Sequence, residues 1–357
     1  MGRHAEGSLP GGFDREPFRG RDGVTIGSLR GFARPFSVGF DAEGRLLVAD
    51  MDRNCVDRFD ASLAWDATLG GSQPGWHREA GRGSGDPLLA GPHSTVQDPE
   101  GLLYVTEYAG RRVSVFDPEG RLVRRIGEGS RGPALAGPAT AEIGPDGCLL
   151  VVDYQASAVL RFDLLGRFTG CLGRRADGEP ATGFGPAAKT VESGALGGLR
   201  RPHMARWGPD GRLYVADTWN HRIQRYEPEG SFSGWLGATA QGPTAGWASD
   251  GNSVSSPAPG GLDAPVAMAF ADDGSLVVTE WGNHRVQLFS RDGECLGWLG
   301  GSDDADALGE WRLHGVPREG TALGSFSRPY DACRRGDALY VADTHNHRIQ
   351  VVRGSAR

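Results

Sequence analysis

Two histidines directly follow prolines, His93 in Gly-Pro-His-Ser and His203 in Arg-Pro-His-Met, and Tyr330 takes the same place in Arg-Pro-Tyr-Asp. Imidazole is the commonest protein ligand for divalent metals, so zinc or another divalent metal is the cofactor these residues would hold. A plainer reading is that both histidines cap strand ends and bond to loop backbone. Further polar and aromatic residues that belong to no repeated pattern are Arg53, Tyr108, Arg111, Trp219, Trp281 and His345. Together they suit an acidic or aromatic ligand through a mixed aromatic and cationic surface. GxSxG, the P-loop, HExxH and a GxGxxG between strand and helix are all missing. Hydrolysis by an elbow serine, phosphoryl transfer and dinucleotide binding lose support accordingly.

These positions take their meaning from a repeat. Six segments open with a proline: Pro35, Pro92, Pro138, Pro202, Pro265 and Pro329. Fifteen residues later, fourteen in the last copy, an acid closes an apolar run: Asp50, Glu107, Asp153, Asp217, Glu280 and Asp343. Nine residues past each acid stands Phe59, Phe116, Phe162, Tyr226, Phe289 or Val352. In the first five copies a glycine follows after eleven more residues: Gly70, Gly127, Gly173, Gly237 and Gly300. Runs such as LLVAD and LYVAD are rich in the residue types that favour strands, and turns such as DAEG and DPEG supply a glycine for φ > 0. NHRIQRY and NHRVQLF alternate polar and apolar residues, as a half-buried strand does. Four antiparallel strands per copy and six copies predict an all-β, six-bladed β-propeller.

The last copy stops after its third strand. Val24-Thr25-Ile26-Gly27 reads like the missing fourth, and Gly20–Gly27 keeps the seven-residue spacing of Gly120–Gly127. The expectation is one propeller over residues 20–357, with blades starting near 35, 92, 138, 202, 265 and 329. A strand at 20–28 would close the ring, preceded by a loose segment at 1–19.

In each copy the first strand begins at the proline and the second ends at the acid, which puts both on one rim. The connections between blades reach the same rim, and those at 70–92, 173–202, 237–265 and 300–329 are long. Such loops, carrying Trp76, His77, Trp247, Trp311 and His314, are expected to wall or cover the channel mouth, although any single Trp more simply pins its own loop. The residue after each proline is Phe36, His93, Ala139, His203, Val266 or Tyr330, so the polar-tipped ones fall in alternate blades and converge on the axis. The recurring acids, the arginines five residues beyond them (Arg112, Arg222, Arg285, Arg348) and His221, His284 and His347 read as structural.

A net charge of −7 disfavours nucleic acid and anionic membranes as partners. A protein or small-molecule ligand on the long-loop rim remains. No apolar stretch approaches the roughly 20 residues of a membrane span, and the first residues lack a secretion pattern. Five scattered cysteines without a CxxC pair fit buried thiols in a reducing compartment, so a cytoplasmic location is expected.

DTWNHRIQ at 217–224, EWGNHRVQ at 280–287 and DTHNHRIQ at 343–350 resemble the NHL repeat. That resemblance runs from Pro35 to Val352; blades 1 to 3 replace the Asn-His-Arg core. It implies a six-bladed propeller and no single function, since such propellers serve in binding and in catalysis. The Pro-His strings are also similar to those of propeller-type peptidylglycine amidating lyases, which hold zinc with histidines. That resemblance implies metal ligation by His93 and His203 and catalytic roles for Tyr154 and Tyr330. It departs where Tyr330 replaces a third histidine, Thr218 stands in place of a catalytic arginine, and Tyr154 is one residue out of register. A metal-dependent lyase or hydrolase centred on His93, His203 and Tyr330 is therefore the rival to a binding propeller.

Overall fold

Along the strand Leu46–Asp50, Leu46 and Val48 pack toward one neighbouring sheet, while Leu47 and Ala49 pack toward the other. Leu213 and Val215 likewise part company with Tyr214 and Ala216. Successive strand residues point to opposite faces, so a run apolar at every position belongs to a sheet buried on both sides. Stacking such sheets in a ring satisfies every copy at once.

The computed structural model describes residues 18–19, 25–71, 74–78, 88–128, 132–175, 183–185, 190–302 and 311–353. Six antiparallel sheets form the propeller, and six apolar clusters lie in the seams between them. First strands are Pro35–Phe40, Pro92–Gln97, Pro138–Ile143, Met204–Trp207, Pro265–Phe270 and Asp331–Arg335. The last blade runs Asp331–Arg335, Ala338–Asp343, Arg348–Arg353 and then Thr25–Arg30, with Ile26 paired to Val352 and Leu29 to Ile349. The N-terminal strand thus closes the ring. Ile26 and Leu29 are fully buried in the seams on either side of that blade. Residues 20–24 of the strand expected at 20–28, and 1–17 of the loose segment, lie outside the described residues. Phe18–Arg19 pairs with Thr25–Ile26.

The recurring polar residues bind the architecture together. Asp217 accepts hydrogen bonds from the Arg200 amide at 2.7 Å, Asn220 at 2.8 Å, Arg222 at 2.8 Å and Gln224 at 2.9 Å. Arg222, fully buried, also donates to the carbonyls of Gly194, Ala195 and Gly198 in the preceding loop. Glu280 with Arg285, and Asp343 with Arg348, repeat this arrangement.

The signature histidines form latches between blades. Asn54, Arg111, Ser157, His221, His284 and His347 occupy equivalent turns, all with φ between 52° and 56°. From there Asn54 accepts the Gly91 amide at 2.8 Å, Ser157 that of Arg201 at 3.1 Å, His221 that of Ala264 at 3.1 Å and His284 that of Arg328 at 3.0 Å. Each latched residue immediately precedes the next blade's proline. His347 closes the circle on the Ala33 carbonyl.

Candidate functional site at the channel mouth

A β-bulge follows the proline in blades 1, 2, 3 and 5: Pro35 pairs with Asp50, yet the next paired residue is Ser37. The extra residue leaves the ladder, which re-aims its side chain. That residue is the position the sequence singles out. Phe36, His93, His203, Val266 and Tyr330 form the floor of a cavity of about 210 Å³. Its walls come from residues just past the acids: Met51, Tyr108, Tyr154, Thr218, Trp219 and Trp281.

The floor is a packed ring stack. His93 and His203 have ring centroids 4.9 Å apart, Tyr330 lies 5.2 Å from His203, and Phe36 lies 4.5 Å from His93 and 4.2 Å from Tyr330. Both histidines are buried, at 4% and 6% exposure. Burial drives the His203 imidazole down to about 4, and burial, His203 and Arg34 push His93 well below its ordinary value. Both rings are therefore neutral near pH 7. Nδ1 of His93 has no hydrogen-bond partner among the described residues. Tyr330 shifts upward, chiefly through burial, and stays a phenol.

The walls are hydrogen-bonded aromatics. Trp219, 40% exposed, donates Nε1 to the Tyr154 hydroxyl at 2.7 Å, and Gln155 donates to the Tyr108 hydroxyl at 2.5 Å. Tyr108 and Tyr154 meet edge to face at 6.3 Å. Among the described residues no carboxylate lines the cavity, and Arg34 is the one charged side chain in its lining.

Seven of the residues selected from sequence thus gather here: His93, His203, Tyr330, Tyr154, Tyr108, Trp219 and Trp281. Arg53 does not join them. Its guanidinium is spent on buried Asp57 at 2.6 Å and nearby Asp50 at 4.0 Å. Arg111 occupies the left-handed turn of blade 2 instead of the cavity wall. His345 stands beside the lining, its imidazole lowered by burial and then by Arg328 and Arg34.

The described tryptophans of the long loops lie against blade edges and seams. Trp76–His77 pairs with Thr68–Leu69 on the outer edge of its own blade, and Gly242–Pro243 and Pro317–Arg318 extend blades 4 and 5 in the same way. Arg58 lies 4.2 Å over Trp76; Trp247 donates to the Arg291 carbonyl beneath Arg225; Trp311 packs onto a seam core. Covering exposed sheet edges accounts for these loops. Sequence reasoning missed Arg34, Met51 and Ala264 in the lining. The overlooked signal is the residue before each proline, which is arginine at Arg34, Arg201 and Arg328.

A resident zinc would need more donors than the site offers. Among the described residues no three His, Cys, Asp or Glu side chains are grouped to hold a metal. Two neutral imidazoles suit zinc, but the third group is a protonated phenol, so the set is short of three good donors.

A family model of the NHL repeat matches residues 199–226 and 326–352. Virginiamycin B lyase from Staphylococcus aureus, solved with quinupristin, superposes with a TM-score of 0.54 at 14% identity, over 96% of this chain and 94% of that one. A gluconolactonase from Xanthomonas campestris gives 0.54 at 13% identity, over 98% of each chain. Hydrazine synthase from Kuenenia stuttgartiensis gives 0.52 at 17% identity, over 91% and 97%. No curated protein sequence matches. At these identities the likeness is one of fold.

Proposed function

Since this chain is a six-bladed β-propeller with NHL-repeat matches in two segments, we propose that it is a binding propeller that takes a small organic ligand in the aromatic funnel at its channel mouth. The observation that carries this is the convergence of Phe36, Tyr108, Tyr154, Trp219, Trp281 and Tyr330 on one cavity. Concave apolar sites with a few fixed polar groups are where small ligands bind. A protein partner would rather need exposed aromatics on the surrounding loops, where Trp76 packs under Arg58 of its own blade and Trp247 bonds to the Arg291 carbonyl of the next. Among the described residues no helix is long and apolar enough to cross a membrane.

Thermal-shift screening of aromatic small molecules, followed by titration of Trp fluorescence, tests this reading. Hits are expected to perturb wild-type fluorescence and to lose affinity in Trp219→Ala. Ligands whose affinity ignores both Trp219→Ala and Tyr108→Ala would place binding elsewhere.

One observation favours a second reading: two of the structural neighbours are a lyase and a gluconolactonase. A metal-dependent lyase or hydrolase centred on His93, His203 and Tyr330 would carry stoichiometric zinc, lost in a His93→Ala/His203→Ala double variant. Metal analysis of purified protein separates the two.

A further inference from the structure

The funnel is electrically lopsided. On one side, in blades 2 to 4, Tyr108, Tyr154 and Trp219 bond to one another and to Gln155, and the one cation on them, Arg201, 5.5 Å over the Tyr154 ring, is neutralised by Glu192 at 3.0 Å. On the other, two arginines frame the mouth. Arg34 lines the cavity with its guanidinium 4.9 Å over Phe36, and Arg328 lies 4.4 Å over the ring of Trp281. Arg34 meets Asp52 only loosely, at 3.6 Å between two exposed side chains. Arg328 makes no ion pair with a carboxylate among the described residues and rests on the indole instead.

The backbone beneath Arg328 is informative. It has φ 45°, a left-handed conformation that favours glycine, and the equivalent residue of blade 2 is Gly91 at φ 63°. The latch to His284 fixes that conformation whatever the side chain. A long cation is therefore kept where the fold itself asks for none, and such outliers concentrate at functional sites. Arg201 repeats the pattern at φ 46°, but it is paired with Glu192 at 3.0 Å. Of the three, Arg34 has only its loose contact to Asp52 and Arg328 has no carboxylate partner among the described residues, and both lie on the side of Tyr330.

Resting on the small-ligand reading above, we infer that the ligand is an aromatic acid, its ring held by the Trp219, Trp281 and Tyr108 walls and its anionic group by Arg34 and Arg328. A cationic ligand would meet two guanidiniums and no carboxylate. A neutral one would leave both without an anion. Hydrogen bonds from an ionised donor to an ionised acceptor are the strong ones, so discrimination by charge is expected to exceed discrimination by ring shape.

Calorimetric titration of the full chain with 2-naphthoate, 2-naphthamide and 2-naphthylmethylamine tests this, because the three share a ring system and differ in charge. The acid is expected to bind about tenfold more tightly than the amide, and the amine least. In an Arg34→Gln/Arg328→Gly variant that preference should disappear while amide binding persists. Glycine relieves the left-handed backbone at 328, so the variant is expected to melt no lower than wild type and the loss cannot be laid to unfolding. Equal affinity for acid and amide, tightest binding of the amine, or a preference that survives in the variant would each overturn the ligand class and leave the small-ligand reading standing. Binding of none of the three would overturn both.

Discussion

Arg222 is the sharpest place to test whether the NHL signature serves the fold or the chemistry. The side chain is fully buried and makes four bonds: to Asp217 at 2.8 Å, and to the carbonyls of Gly194, Ala195 and Gly198 at 3.2, 2.8 and 3.0 Å. Arg222→Met keeps the apolar stem and removes every donor. Losing the charge-assisted bond costs about 1.5–3 kcal/mol, and the Gly194 carbonyl adds about 1 kcal/mol unless water enters, whereas Ala195 keeps the Gly198 amide and Gly198 keeps Gln224 as donors. Asp217 keeps the Arg200 amide, Asn220 and Gln224 as donors, which limits the penalty for its charge. The sum is roughly 3 kcal/mol, a large share of the stability of an ordinary domain. Guanidinium unfolding followed by circular dichroism reads it as a shift of the midpoint at constant slope. Asp217→Asn/Arg222→Met should lose clearly less than the two single variants added together, because removing both charges leaves neither stranded. A loss below about 1 kcal/mol for Arg222→Met, or strict additivity in the cycle, would refute the structural assignment.

Other tests address closure and latching. Leu29→Ala, at a fully buried position of the closing strand, should cost about 3 kcal/mol in the same assay, whereas Leu165→Ala, at 63% exposure, should cost under about 0.5 kcal/mol. At His221, φ is 52°, so His221→Gly loses the bond to Ala264 but sheds strain, and should be more stable than His221→Ala by about 1 kcal/mol. His284 must be neutral at Nδ1 to accept the Arg328 amide, and burial lowers its pKa, with Arg328 assisting and Glu319, Asp263 and Asp343 opposing. Its folded pKa therefore lies below the unfolded value near 6.5, so its contribution is complete above that pH and is lost as the pH falls toward the folded value. His284→Asn, which copies the latch of Asn54, should flatten the stability profile between pH 7 and 5 relative to wild type; an unchanged slope would count against the latch.

The ring was legible because its determinants are periodic. A proline, an acid fifteen residues on and an apolar run between them recur because every blade solves the same problem, with both faces buried and both strand ends tied to one loop. Closure was legible for a related reason: Thr25–Arg30 has the composition of an outer strand, and the last copy lacks one. The long loops were less legible. Their tryptophans allowed a wall at the channel mouth or, more simply for any one of them, a pin for its own loop, and spacing does not distinguish a covered sheet edge from a covered mouth. Arg53 misled. Blade 1 has Cys55 where the buried arginine of other blades stands, and Arg53 meets the neighbouring acids instead.

The cavity obeyed a rule that subtraction of the repeat only half exposed. Removing recurring residues left the positions after each proline and after each acid, and those are the floor and walls. It did not expose the position before the proline, because that residue's structural work is done by its amide, which any amino acid supplies. Position 91 is glycine and position 264 alanine under the same latch that holds Arg201 and Arg328. Where the backbone demands nothing of a side chain and even penalises it, the side chain present answers to something else. At Arg328 that something lies over Trp281, at the mouth of a cavity that no described carboxylate lines. The repeat thus builds the funnel, and the residues it leaves unconstrained decide what enters.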